Sequence, residues 1–270
     1  EAGAATGEGG IGCAAQSAGR LMRILCTNDD GYLALGIGVL ASAARMIGSV
    51  TVVAPDREQS ATSNSLTIHN PLRVRRTTDG SLVVDGTPTD CVILAVNELM
   101  DQKPDICFSG INHGSNMGED VLYSGTVAGA MEATVIGIPA IAVSYAGDAF
   151  EDLAAWEDVV ISVLRGIIEQ GDFPVDTLFN VNLPPIDPAK VRGVRITSLG
   201  KRRYSDSLTK AVDPNGRDYY WIGGGEVSWT GAEDSDFTAI REGYVSVTPL
   251  HLDLTNYKLL EEIRGWRLSL

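Results

Sequence analysis

In the stretch Arg23-Ile24-Leu25-Cys26-Thr27-Asn28-Asp29-Asp30-Gly31, two adjacent carboxylates directly follow a short apolar run. The run predicts a buried β-strand, and open α/β sheets bind ligands at the carboxyl ends of their strands. Side chains alternate between the faces of a strand, so both carboxylates reach one ion only if the chain leaves strand geometry, which Gly31 permits. Asp29 and Asp30 are therefore candidate ligands of Mg²⁺ or Mn²⁺, which prefer oxygen donors. A solvated acidic turn is the alternative interpretation.

The composition indicates a globular protein that repels polyanions. The chain has 270 residues, 44% of them hydrophobic, and a net charge of −14. One α/β domain with an appended subdomain commonly reaches this length. A nucleic-acid polymer is an unfavourable partner for such a charge, whereas a small anion held through a bound cation is compatible with it. The three histidines lack H-x-x-x-H spacing, which argues against a histidine zinc site.

The cysteines and the amino-terminal segment bear on the compartment. Cys26, Cys91 and Cys107 lie in apolar segments, as free buried thiols do, and the four cysteines show no C-x-x-C spacing. We therefore expect a reducing compartment, the cytoplasm. Residues 1–21 are rich in Ala, Gly and Glu and resemble neither a signal peptide nor a membrane span. We expect them to form a disordered extension and expect no membrane partner.

Strand and helix patterns alternate over residues 22–185. Strands are predicted at 23–27, 49–55, 106–108 and 140–145, and helices at 36–47, 87–100, 126–136 and 152–169. Asp79-Gly80 predicts a hairpin turn, and Thr87-Pro88 with Asp90 predicts a capped helix start. This alternation predicts a Rossmann-like, doubly wound, mostly parallel α/β sheet as the catalytic core. For residues 186–270 the pattern instead favours a mostly antiparallel extension that ends in a helix over 256–266.

Three polar loops follow predicted parallel strands, at 28–31, 54–61 and 109–116. Right-handed crossovers bring such loops to the same edge of a sheet. Ser60 and Asn112 then become additional oxygen ligands beside the two aspartates. Taken singly, each is more typical of a turn residue that bonds its own backbone.

Ser124-Gly125-Thr126 opens a predicted helix of small residues. Free backbone N–H groups and two outward-facing hydroxyls are expected there, and helix N-termini of this kind bind phosphate. An ordinary N-cap is the alternative interpretation. Beside a divalent-metal site, phosphate is the better explanation.

Several long motifs occur in a fixed order along the chain. They are Asn28-Asp29-Asp30-Gly31, Val53-Ala54-Pro55-Asp56-Arg57 with Ser60, Gly86-Thr87-Pro88-Thr89-Asp90-Cys91, Ser109-Gly110-Ile111-Asn112-x-Gly114-x-Asn116-x-Gly118, Tyr123-Ser124-Gly125-Thr126-Val127 and Glu242-Gly243-Tyr244-Val245-Ser246-Val247-Thr248-Pro249-Leu250. In these motifs the chain closely resembles the SurE, or survival protein E, family of metal-dependent 5′/3′-nucleotidases. The resemblance covers Met22 to about Trp266, and only the amino-terminal extension departs from it.

The resemblance implies an activity, a site and an assembly. The activity is hydrolysis of nucleoside monophosphates at the 5′ position and also the 3′ position, with exopolyphosphatase as a possible side activity. One divalent metal ion per subunit, Mg²⁺ or Mn²⁺, would be bound by Asp29, Asp30, Ser60 and Asn112. The implied phosphate contacts are Asn116, Ser124, Gly125 and Thr126. Relatives form homodimers or homotetramers by exchanging carboxyl-terminal segments, which makes residues 186–270 the expected oligomerisation region.

The working mechanism is attack by a metal-activated water, with Asp29 or Asp30 as the catalytic proton acceptor. A covalent aspartyl-phosphate is the rival mechanism, and it is disfavoured because the Asp-x-Asp pair typical of dehalogenase-type phosphatases does not follow the first strand. The alternative from another class is a magnesium-binding, receiver-like regulatory module without hydrolase activity. Such a module needs an Asp after its third strand and a Lys after its fifth, where this chain has Ser109-Gly110 and Ser144-Tyr145. A dinucleotide-binding oxidoreductase is disfavoured because no G-x-G-x-x-G follows the first strand.

Two further groups are candidates for contacts with a nucleotide. Lys201-Arg202-Arg203 stands out in an acidic chain. It is interpreted either as a contact to the phosphate or nucleotide, across a subunit boundary or within one subunit, or as a solvated turn. Tyr219, Tyr220, Trp221 and Trp229 are candidates for stacking on a base. Alternating aromatic residues in strands more often pack a core or an interface.

Overall fold

The computed structural model describes residues 20–171, 173–204, 208–222 and 227–268. Residues 1–19 of the predicted extension lie outside the described residues. Up to residue 183 the elements are β1 (Arg23–Thr27), α1 (Leu35–Arg45), β2 (Ser49–Pro55), β3 (Val74–Arg76), β4 (Leu82–Val84), α2 (Pro88–Leu94), β5 (Ile106–His113), α3 (Gly125–Val135), β6 (Ala140–Tyr145), α4 (Glu157–Ile168) and β7 (Thr177–Leu183). Those that follow are β8 (Val194–Ile196), β9 (Lys201–Tyr204), β10 (Leu208–Val212), β11 (Asp218–Ile222), β12 (Val227–Thr230), α5 (Asp236–Arg241), β13 (Val245–His251) and α6 (Tyr257–Ile263).

Nine strands form one sheet in the order β3-β4-β2-β1-β5-β6-β7-β13-β8. From β4 to β7 every neighbouring pair is parallel. β2 pairs with one edge of β1 and β5 with the other, so the strand order reverses at β1. The predicted mostly parallel α/β sheet is thus confirmed, and its switch point lies at the double aspartate.

Helices cover both faces of the sheet, which is why the central strands are apolar throughout. Ile24 and Cys26 of β1 belong to the hydrophobic core that includes α1 and α4. Leu25, between them, belongs to the core that includes α2 and α3. Cys26, Cys91 and Cys107 are free and buried, as predicted.

Local signals in the sequence correspond to observed turns and caps. β3 and β4 form an antiparallel hairpin around Asp79-Gly80, and Gly80 has φ +90°. Thr87 caps α2 by accepting a hydrogen bond from the N–H of Asp90 (3.2 Å), and the Asp90 carboxylate accepts one from the N–H of Thr87 (2.9 Å). One π-helical turn, Ala95–Leu99, continues this helix. The predicted hairpin and capped helix are confirmed.

The carboxyl-terminal region differs in part from the expected antiparallel extension. β10–β11 and β9–β12 are antiparallel two-stranded ribbons, and β13 is antiparallel to β7. β8, however, is parallel to β13. The long segment between them contains both ribbons and α5 and supplies the crossover that parallel pairing requires. Strands from both sides of residue 185 therefore share one sheet.

Two predicted elements have different limits in the structure. β5 continues to His113, five residues past the predicted end, through an irregularity between Ser109 and Asn112 where Gly110 has φ +137°. The segment predicted as one helix over 152–169 is a 3₁₀ segment, Phe150–Trp156, followed by α4. Among the helices of the described ranges, none is long and apolar enough to cross a membrane.

Candidate active site

A cavity of about 650 Å³ opens where the loops after β1, β2 and β5 meet the N-terminus of α3. Five of the predicted site residues line it: Asp29, Ser60, Asn112, Asn116 and Ser124. Asp30 and Gly125 lie directly beside lining residues in the chain, Thr126 lies one position further along, and these three residues are not part of the lining. The structure therefore brings together the three loops that the sequence assigned to one edge of the sheet.

Asp29 is buried against the first turn of α3. Its side chain accepts a hydrogen bond from the Thr126 hydroxyl, and only 4% of the residue is exposed. A Cβ at Gly125 would lie 2.7 Å from the Asp29 Cβ and 2.8 Å from its Oδ2, so the helix reaches the carboxylate only because residue 125 is glycine. Burial raises the pKa of Asp29 to about 6, although the Thr126 hydrogen bond lowers it.

Asp30 is half-buried beside the end of β5. Its Oδ2 accepts a hydrogen bond from the backbone N–H of His113 (3.1 Å). Burial raises the pKa of Asp30, and the charge of Asp30 in turn raises the pKa of Asp29. The raised pKa values mean that the charged form of both carboxylates is disfavoured. A bound cation would stabilise that charged form.

The donor set tests whether a divalent ion fits. Within the described ranges there is no group of three or more His, Cys, Asp or Glu side chains placed to hold a metal. A cation here would use the two aspartates together with neutral oxygens, which Ser60 and Asn112 supply. Asn112 donates its Nδ2 to the carbonyl of Gly114 (2.8 Å), which directs the amide donor away from a cation. Such an all-oxygen set fits Mg²⁺ or Mn²⁺, which also retain water ligands.

Ser60 is the most exposed of the predicted ligands. Its hydroxyl donates to Glu58 Oε1 (2.7 Å), while the N–H of Gln59 donates to the carbonyl of Asp29 (2.7 Å). The second bond fixes the backbone of this loop against the aspartate loop. Ser60 therefore lies on the cavity wall with its hydroxyl bonded to a neighbouring carboxylate.

The two hydroxyls at the start of α3 have different environments. Ser124 is the N-cap of α3, because its Oγ accepts a hydrogen bond from the N–H of Val127 (3.1 Å), and it lines the cavity. Thr126 is fully buried. The expectation that both hydroxyls face outward is therefore wrong for Thr126, whose hydroxyl is drawn to the Asp29 carboxylate.

Asn116 is held by a cluster of polar side chains that was not predicted from the sequence. Its N–H donates to Asn182 Oδ1 (2.9 Å), and its carbonyl accepts from Nδ2 of Asn180 (2.8 Å) and of Asn182 (3.0 Å). Its own Nδ2 donates to Ser144 Oγ (2.8 Å). The available signal was the pair of asparagines at alternate positions of the otherwise apolar β7, since alternate strand residues share a face.

Further residues complete the cavity wall, including His113, Asp120, Tyr123, Arg202 and Ile222. Arg202 forms an ion pair with Asp120, and its guanidinium lies 4.8 Å from the centroid of the Trp229 ring. Arg202, a member of the candidate basic group, thus lies at the cavity.

The aromatic residues that were candidates for stacking on a base do not line the cavity. Trp229 stacks on Phe237, with ring centroids 3.5 Å apart. Tyr219, Tyr220 and Trp221 are exposed on β11. Among the described residues, Tyr123 does line the cavity, although in the sequence it stood out only as part of a motif.

A mostly parallel sheet that gathers two carboxylates and a helix N-terminus at its switch point defines a Rossmann-like protein with a polar cavity at the carboxyl edge of its sheet. Residues 24–206 match the family model described as Survival protein SurE. The chain belongs to the SurE family, as the motifs indicated.

Named relatives cover nearly the whole chain. A protein of Gemmatimonas aurantiaca named 5′-nucleotidase SurE is 55% identical over 91% of this chain and 98% of its own length. One of the same name from Geobacter sulfurreducens is 50% identical, over 92% of this chain and 95% of its own. The crystal structure of the SurE protein from Aquifex aeolicus is 42% identical, with a TM-score of 0.79 over 90% of this chain and 98% of that chain.

Proposed function

We propose that this protein is a divalent-metal-dependent 5′-nucleotidase that hydrolyses nucleoside monophosphates to nucleoside and phosphate. The names of its relatives support the reaction. The observation that carries the proposal is the contact between Asp29 and the N-terminus of α3, which Gly125 makes possible. A cation on the carboxylates and a phosphate on the helix amides would occupy adjoining positions of one cavity.

Asp29, Asp30, Ser60 and Asn112 would hold one divalent ion per subunit, Mg²⁺ or Mn²⁺. When bound, the ion lowers the pKa of a water molecule and withdraws charge from the phosphoryl group. The support for this set is its all-oxygen chemistry and the burial that raises the pKa of both aspartates.

The chain's own residues bind and orient the ester. Ser124 and the N–H of Gly125 would face the phosphoryl oxygens, where the helix dipole favours negative charge, and Thr126 would support them by holding the Asp29 carboxylate. Asn116 is a further phosphate contact. Asp29 or Asp30 would accept a proton from the attacking water, whose oxygen bonds to phosphorus as the P–O bond to the nucleoside oxygen breaks. The departing oxygen takes up a proton, so that nucleoside and phosphate leave.

Hydrolysis of 3′-nucleotides and of polyphosphate belongs to the same proposal, because the phosphate contacts do not depend on the rest of the substrate. The receiver-like module is the competing reading. It would bind Mg²⁺ without releasing phosphate.

We also propose a cytoplasmic homodimer or homotetramer assembled through residues 186–270. On β11, Trp221 and Ile222 are 66% and 89% exposed. Exposed apolar groups of this kind mark interaction surfaces. The three buried free thiols support a reducing compartment. Sedimentation velocity at micromolar concentration should show an assembly larger than the 28.6 kDa chain, and a single species of that mass would refute it.

Phosphate release measured with and without metal tests the function. The substrates are 5′- and 3′-nucleoside monophosphates and polyphosphate, each with EDTA and then with Mg²⁺ or Mn²⁺ restored. We expect activity on 5′-nucleotides that EDTA abolishes and one of the two metals restores. Undiminished activity after exhaustive chelation would contradict the metal requirement, and Mg²⁺ binding without any phosphate release would favour the receiver-like module.

A further inference from the structure

The cavity has an aromatic wall that the phosphate chemistry does not use. Tyr123 lines the cavity and immediately precedes Ser124, the cap of the proposed phosphate-binding helix. The residue is 65% exposed. Over the described residues, no ring and no cation packs on the ring of Tyr123. An aromatic face is therefore open beside the position proposed for the phosphate.

The backbone that carries this ring is fixed on both sides. The N–H of Tyr123 donates to the carbonyl of Asp120 (3.0 Å), and its own carbonyl accepts from the N–H of Ser63 (3.1 Å). The Ser63 hydroxyl also donates to the carbonyl of Leu122 (2.8 Å). Tyr123 thus joins the loop after β2 to the start of α3. A ring presented on an ordered backbone loses little further freedom when a ligand binds, which favours affinity.

The volume of the cavity exceeds what a phosphate alone requires. About 650 Å³ lies within the range of sites that enclose whole small molecules. The remainder of a nucleotide would extend from the phosphate along the cavity wall, where Tyr123 directly precedes Ser124, the cap of the proposed phosphate-binding helix. The charged groups of that wall, Asp120 and Arg202, are bonded to each other.

We infer that Tyr123 is the stacking surface for the nucleobase, an inference that rests on the proposed nucleotidase function. Every base offers a π-face, so stacking tolerates changes of base. Because Asp120 and Arg202 form an ion pair with each other, recognition of the base by stacking is favoured over hydrogen bonds to the edge of one particular base. The enzyme should accept all four nucleoside monophosphates, with Tyr123 selecting for the presence of a base.

The test compares a substrate that has a base with one that lacks it. Steady-state kinetics are measured on AMP and on ribose 5-phosphate for wild type, Tyr123→Ala, Tyr123→Leu and Tyr123→Phe. One stacked base contributes a factor of roughly 5–150. We expect Tyr123→Ala and Tyr123→Leu to lose about that factor in kcat/KM for AMP, mainly through KM, while kcat/KM for ribose 5-phosphate stays within about twofold. Tyr123→Phe should retain both activities.

Leu122→Ala is the matched control, since Leu122 is an exposed neighbour on the same backbone and does not line the cavity. This variant should leave kcat/KM unchanged both for AMP and for ribose 5-phosphate. Equal losses on AMP and ribose 5-phosphate, or no loss on either, would overturn the role of Tyr123. So would a change in sedimentation of the Tyr123 variants, because the ring would then belong to a subunit interface. A wild-type protein that hydrolyses neither compound with any metal would instead refute the nucleotidase function itself.

Discussion

Several polar groups in the loops around Asp29 are buried, whereas those on the β10–β11 ribbon are exposed to water. At the cavity, Asp29, Asn116 and Thr126 are buried, and each is held by hydrogen bonds to other buried groups. On the ribbon, Lys210 and Asp218 form an ion pair in which both side chains are about half exposed. Buried polar contacts fix position because breaking one leaves an unpaired group away from water, whereas water replaces an exposed contact readily. Changes at the cavity should therefore have much larger effects than changes on the ribbon.

The largest effect is expected for Asp29→Asn. The variant keeps a group that can accept the Thr126 hydrogen bond, but it loses the negative charge that the proposed cation requires. Disturbing groups that only support metal ligands already costs 10–100-fold, so we expect kcat/KM to fall by roughly 100-fold or more. Because burial raises the pKa of the Asp29 carboxyl, removing its charge should leave Tm unchanged or higher.

Asp101→Asn is the control for this substitution, an exposed carboxylate on the turn before β5. Its kcat/KM should equal that of wild type. If Asp29→Asn retains more than a tenth of the activity, the carboxylate is not a ligand of an essential cation.

The second-largest effect is expected for a substitution that tests whether α3 must pack closely against Asp29. It distinguishes this close contact from the intrinsic stability of the helix. Gly125→Ala places a methyl group 2.7 Å from the Asp29 Cβ, so the carboxylate or the helix must move. Displacement of a reacting group by about 1 Å can cost on the order of 100-fold in rate, and we expect a loss of roughly 10- to 100-fold in kcat/KM.

Gly38→Ala in α1 is the matched control, because a Cβ there has nothing within 4 Å. Helix propensity predicts a gain of up to about 1 kcal/mol in the free energy of unfolding, without a change in kinetics. Similar behaviour of the two alanine variants would mean that the close approach of α3 has no part in the activity.

The third effect concerns the cluster that fixes Asn116. Asn182→Ala removes the acceptor of the buried Asn116 N–H and one of the two donors to its carbonyl, which Asn180 still serves. A buried unpaired N–H costs about 1–3 kcal/mol, and we expect Tm to fall by several degrees. The exposed Asn97, which bonds the carbonyl of Ile93 within its helix, provides the control Asn97→Ala. A stable, fully active Asn182→Ala protein would show that the loop keeps its position without the cluster.

The features that were predicted correctly from the sequence depend mainly on local contacts. Thr87, Asp90 and the Asp79-Gly80 turn act on neighbours within a few residues, so their structures follow from local composition. The double aspartate was found because residues that end a buried strand lie at one known edge of the sheet.

Long-range contacts were not accessible in the same way. The Thr126 hydroxyl turns inward because Asp29, far away in the chain, comes within contact of α3. Asn180 and Asn182 bind the loop that lies over β7. The sequence of β7 alone does not predict that this loop lies there. The parallel pairing of β8 with β13 depends on the path of the intervening crossover.

The smallest effect is expected on the ribbon. Lys210 Nζ lies 2.6 Å from Asp218 Oδ2, across the two antiparallel strands. Lys210→Met keeps most of the side-chain stem and removes the charge. Exposed pairs contribute about 0–1 kcal/mol, which corresponds to a change in Tm of at most about 4 °C for a chain of this size, and kcat/KM should not change.

A double-mutant cycle with Asp218→Asn isolates the pair from other effects of each substitution. For the ribbon in water, the coupling should be about 0.2–1 kcal/mol and should shrink as added salt screens the charges. A coupling energy well above that range that does not change with salt would contradict the exposure of the ribbon to water. It would mean that a second copy of the chain covers Lys210 and Asp218, and the ribbon would then share the buried polar character of the cavity. Repeating the cycle across a dilution series separates these outcomes, because a coupling that arises at an interface falls as the assembly dissociates, whereas one within the ribbon does not.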